Sequence, residues 1–102
     1  MFEDFGFVLA TKMLIDGKKK VSFMYREEVT GPDPDSGWRF FCGDESQEYL
    51  DDPNNTYLCG IDWVLDVDAS VAQFLDLPPG TALERKSNDD DLEDAEGFDP
   101  NA

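Results

Sequence analysis

Asp44, Glu45, Glu48, Asp51 and Asp52 crowd into nine residues just after the run Trp38-Arg39-Phe40-Phe41. Carboxylates packed so closely could share acid/base work, hold calcium, or present charge to a basic partner. The first use needs a deep substrate cleft, which a 102-residue chain rarely offers. With 24 acids in the chain, moreover, some pair meets any spacing test by chance. Calcium would suit "DPDSG" (33–37) or "DDPNN" (51–55). Neither fits the calcium loop of an EF-hand, because Gly37 follows Asp33 by four residues instead of five and no closing Glu stands in place.

Other chemistry is excluded by residue type. The chain has no histidine, so the usual general base, the histidine-activated nucleophiles and the commonest metal ligand are missing. Cys42 and Cys59 alone cannot close a four-ligand zinc site, and no glycine-rich phosphate loop is present. Both cysteines sit in apolar surroundings that suit small reduced side chains. No enzyme activity, cofactor or metal is expected. What remains is charge offered to a partner.

That charge is large and uneven. The formal net charge is -16, and residues 27–76 hold 13 acids against the single base Arg39. The last 16 residues add 7 acids and no base. Such a field repels nucleic-acid phosphates and anionic membranes, so a steered partner should be a basic protein. No apolar run approaches the roughly 20 residues of a membrane span. "MFEDFGFVLATK" is acidic ahead of its apolar stretch, the reverse of a secretory signal, and a cytoplasmic protein is expected, monomeric or weakly dimeric.

The elements that must position the acids can be read from periodicity. "FGFVLAT" (5–11) and "VSFMYREE" (21–28) alternate as strands, and Asp16-Gly17 between them predicts a hairpin turn. "VTGPDPDSG" (29–37) is a loop, "WRFFC" (38–42) a third strand, and Gly43 a bend. "DESQEYLDD" predicts a two-turn helix capped by Asp44. "TYLCG" (56–60) and "TALERK" (81–86) add strands, with two short helices between them capped by Asp62 and Asp68. The expected fold is a single small α+β domain: an antiparallel sheet of four to five strands with short helices packed on one face, over residues 1–86. Residues 87–102, "SNDDDLEDAEGFDPNA" after Lys86, read as an acidic disordered tail.

Within this frame Trp38, Phe40 and Tyr49 are expected in the core, with Arg39 and Phe41 on the opposite side of their strand. Asp44, Glu45, Glu48, Asp51 and Asp52 are expected to form an exposed rim that a basic partner contacts. Trp63 is expected to be partly buried, with an interface anchor as its other role.

In order along the chain, "FMYREE", "DSGWRFFCGDE" and "EYLDDPNN", followed by "TALER", carry a resemblance. Over residues 7–86 the sequence resembles a bacterial domain once of unknown function, grouped with the immunity proteins of polymorphic toxin systems as the immunity protein 33 family. The resemblance implies a small cytosolic protein that binds and neutralises a toxin from the same or a neighbouring strain. Many such toxins are basic nucleases, which an acidic inhibitor would meet quickly. The alternative is a free-standing regulatory domain that binds a small ligand or a cellular protein, for which an apolar pocket beside Trp38 would speak. A nucleic-acid mimic, supported by the acidic tail, is a third.

Overall fold

The computed structural model describes residues 7–28, 35–85 and 91–95. Its strands are β1 (Phe7–Thr11), β2 (Phe23–Arg26), β3 (Asp35–Phe41), β4 (Thr56–Gly60), β5 (Ala82–Glu84) and β6 (Glu93–Asp94). The helices are α1 (Lys12–Asp16), α2 (Gln47–Asp51) and α3 (Ile61–Val67), with short 3-10 segments at Pro53–Asn55 and Ala69–Phe74. The result is an α+β domain with one six-stranded sheet in the order β4-β1-β3-β2-β5-β6. Every neighbouring pair is antiparallel except β1 and β3.

The expected hairpin between the first two strands does not form. Thr11 ends β1 and caps α1, its hydroxyl accepting from the Leu14 N–H at 3.2 Å. Leu14 is thereby drawn into the core. Asp16-Gly17 ends this helix instead of closing a hairpin, and β3 takes the place between β1 and β2. Parallel pairing of β1 and β3 is not smooth: three residues of β1, Phe7 to Leu9, lie opposite five of β3, Asp35 to Arg39. Gly37 absorbs the irregularity at φ +89°, where a Cβ would collide with the Glu27 carbonyl oxygen.

One face of the sheet carries the core. Val8 and Ala10 of β1, Met24 of β2, Trp38 and Phe40 of β3 and Leu83 of β5 are buried beside Leu14 of α1, Val64 of α3 and Val71. Trp38 is fully buried as expected, and its indole N–H donates to the Leu75 carbonyl at 3.2 Å. Tyr49 is not core: it is half-buried, and its hydroxyl accepts from the Met13 N–H at 3.0 Å.

Two of the three expected caps differ. Ser46, not Asp44, caps α2 by accepting from the Tyr49 N–H at 3.1 Å. Gly60 precedes α3, whose first turn contains Asp62 without a capping bond. Asp68 does cap the following segment, which is 3-10 and not α-helical. Its buried carboxylate also accepts from the Val21 N–H at 3.0 Å and from Arg85 at 2.7 Å, tying that segment to the ends of β2 and β5.

The sheet also reaches into the stretch that composition reads as tail. Glu93 pairs with Glu84, Asp94 pairs with Leu83, and Leu92 is buried in the core cluster. Leu92 and the ladder to β5, with the Ala95 N–H donating to the Ala82 carbonyl at 2.9 Å, dock this segment. The rest of the expected tail, residues 87–90 and 96–102, lies outside the described residues.

Candidate partner-binding face

Strand alternation gives the sheet a second face, and its residues are aromatic. Met24 pairs with Phe40 on the core side, so Phe23, opposite Phe41, and Tyr25, opposite Arg39, must point to the other side. Phe23, Tyr25 and Phe41 form a triangle of rings with centroids 5.8, 5.8 and 5.7 Å apart, all half-buried. Leu9 and the exposed Leu58, paired across β1 and β4, continue this surface. Arg39 lies among them, but its guanidinium is engaged by Glu27 at 2.9 Å and by the Trp38 carbonyl at 3.1 Å.

The helix α2 stands on this second face, unlike α1 and α3. Glu45 sets its position. The Glu45 carboxylate accepts from the Thr11 hydroxyl, from the Cys42 N–H at 2.9 Å and from the Gly43 N–H at 2.8 Å. Gly43 sits at φ +94° with Ser22 where a Cβ would lie, so the chain can bend sharply there. Burial alone would raise the Glu45 carboxyl, but the bonds from Thr11, Cys42 and Gly43 outweigh it and hold the group below its usual range. Glu45 is thus an internal latch and not part of an exposed rim.

Latching creates two adjoining grooves between α2 and the sheet. One, of about 480 Å³, is lined by Phe23, Tyr25, Phe41, Glu45, Gln47 and Leu50. The other, of about 390 Å³, shares Tyr25, Phe41, Gln47 and Leu50 and runs on to Leu9, Arg39 and Thr56. Trp38 lines neither. Outside the grooves stand the exposed acids. Glu48 and Asp51 project from α2, with Asp51 accepting from Gln47 at 2.9 Å. Asp52 caps the turn at Pro53–Asn55, and Asp44 meets Lys19 at 3.2 Å in an exposed pair of small energetic weight.

Trp63 belongs elsewhere. It is 45% exposed on α3, in the layer that covers the core face, edge-on to Tyr57 at 5.4 Å. It lines a separate groove of about 400 Å³ with Ile15, Lys18, Asp66 and Val67, and no rim residue reaches it. Asp44, Glu48, Asp51 and Asp52 are exposed on or beside α2, while Trp63 marks another surface. The aromatic floor was missed as a site because β2 alternation cannot say which of its two faces is covered.

Both cysteines are free thiols. Burial pushes Cys59 up to about 11 and also raises Cys42, so neither is an activated nucleophile at neutral pH. Among the described residues there is no group of three or more metal-ligating side chains, and no helix is long and apolar enough to cross a membrane.

The Immunity protein Imm33 domain model matches residues 8–95. The chain belongs to that family. An immunity-protein role follows from the membership, and immunity proteins of this kind are generally non-catalytic. The match runs past Lys86 to Ala95 and so takes in β6, in keeping with the buried Leu92. No curated protein and no solved structure matches the chain.

Proposed function

We propose that this immunity protein binds and neutralises a basic cognate toxin in the cytoplasm, without catalysis, through the open sheet face and its acidic border. The observation that carries the reading is the half-buried aromatic floor beneath α2, a helix whose exposed residues include Glu48 and Asp51 and which ends at the exposed Asp52. Interfaces draw affinity from desolvated aromatic anchors, while surrounding charges set orientation and association rate. Here the floor is rigid because it is part of a sheet, and the border is held by the Glu45 latch, so little ordering cost attends binding. The protein acts as a monomer or weak homodimer.

The competing reading, a small-ligand domain with a pocket beside Trp38, gains no support. That side chain is sealed and lines none of the three grooves. Co-expression with a toxin encoded beside its gene tests the proposal. Survival of the producing cell and co-purification of a basic partner are expected. If no adjacent toxin is neutralised and no basic protein is retained, the proposal fails.

A further inference from the structure

The groove beneath α2 combines features that select one kind of side chain. Its floor is the ring triangle of Phe23, Tyr25 and Phe41, whose quadrupoles attract a cation placed over them. Its wall carries the Glu45 carboxylate. Thr11, Cys42, Gly43 and the Glu45 N–H itself donate to that group and hold it ionised, so it contributes a fixed negative charge to the wall. Gln47 gives its Nε2 to Asp51 at 2.9 Å, which leaves its amide oxygen to accept. Leu50 closes the side against the aliphatic stem that a long cationic residue would bring. Glu84, opposite Phe23 on β5, adds negative charge beside the rings.

Resting on the proposed toxin-binding face, we infer that this groove receives an arginine side chain of the basic partner. Arginine is favoured over lysine by the same geometry. A planar, weakly hydrated guanidinium can stack on the rings while one of its donors reaches the Gln47 amide oxygen, whereas an ammonium is a strongly hydrated point charge. Arg39, the cation that the described residues place on this face, cannot serve the groove from within, since Glu27 and the Trp38 carbonyl engage it.

The test needs no toxin. The full chain, labelled with nitrogen-15, is titrated with hexa-arginine amide and, separately, hexa-lysine amide at the same ionic strength. Hexa-arginine should bind about two- to fivefold more tightly, the margin expected of an added cation–π contact. The largest amide shifts should fall on Phe23, Tyr25, Phe41, Gln47 and Leu50. Tyr25→Leu should abolish the preference for arginine, weakening hexa-arginine more than hexa-lysine. Equal affinity for the two peptides, or arginine-specific shifts centred on Trp63 or scattered over the acidic surface, would overturn the inference, and the wild-type spectra decide this even if the variant fails to fold. An arginine preference without any neutralised toxin would sink the toxin-binding reading and spare the groove. A neutralised toxin with no preference would do the reverse.

Discussion

Neighbouring residues of β3 meet opposite fates. Trp38 and Phe40 are fully buried under α1, α3 and the segment at Ala69–Phe74, while Phe41, one residue on, stays half-exposed beside Tyr25. Both faces of the sheet are aromatic, yet one is covered by helices and the other is only bordered by α2. On the covered face an aromatic ring is held by packing and, for Trp38, by its bond to Leu75. On the open face the rings pack against each other and leave grooves beside acids. The covered face should therefore govern stability and the open face recognition.

The sharpest separation is expected at Trp38. Trp38→Ala should lower unfolding free energy by about 3–5 kcal/mol in denaturant titration, as for other large buried aromatics. Tyr25→Ala, on the half-buried face, should cost nearer 1 kcal/mol. Comparable losses from the two variants would break the contrast. Next in size, Asp68→Ala removes one partner of a pair whose side chains are both only 5% exposed. It also strips the cap from the segment over the core and should cost about 3 kcal/mol. The value should depend little on salt, since both side chains are largely buried.

Glu45 links the faces and should show a smaller effect with a distinct pH signature. Its carboxyl sits below its ordinary 4.5 in the folded protein, so its contribution is whole above that value. It drains away as pH falls through the lowered folded value. Glu45→Gln should cost about 1–2 kcal/mol at pH 7 and flatten the acid limb of the stability curve. An unchanged acid limb would mean the latch carries no stability. The smallest effect should come from cutting the chain after Ala95, which removes two acids, Glu96 and Asp99, while sparing β6 and Leu92. Toxin association should slow at low salt with the dissociation rate nearly unchanged. A cut at residue 88 would also remove the buried Leu92 and cost stability, a difference a thermal melt would show.

Much of this contrast could be read from residue order. The alternation of Trp38 and Phe40 against Arg39 and Phe41, the strand character of residues 23–26 and 56–60, and the cap at Asp68 all follow from local rules of pleat and helix end. What local rules could not supply was which strands become neighbours. Insertion of β3 between β1 and β2 depends on packing around Leu14 and Trp38, and it decides that Phe23 and Tyr25 face outward. Acids were harder still. Asp44, Glu45 and Glu48 look alike in sequence, and only the convergence of Thr11, Cys42 and Gly43 marks Glu45 as internal.

The central claim is that the open face, and not the surface around Trp63, holds the toxin. It is tested most directly by the dissociation rate of the toxin complex for Tyr25→Ala beside Trp63→Ala. Loss of a well-placed aromatic anchor costs more than 1 kcal/mol of binding, so Tyr25→Ala should speed dissociation about tenfold. Trp63→Ala should stay within about twofold of the parent, the range left to residues outside the contact. A complex that Trp63→Ala releases tenfold faster, while Tyr25→Ala leaves it unchanged, would contradict the account.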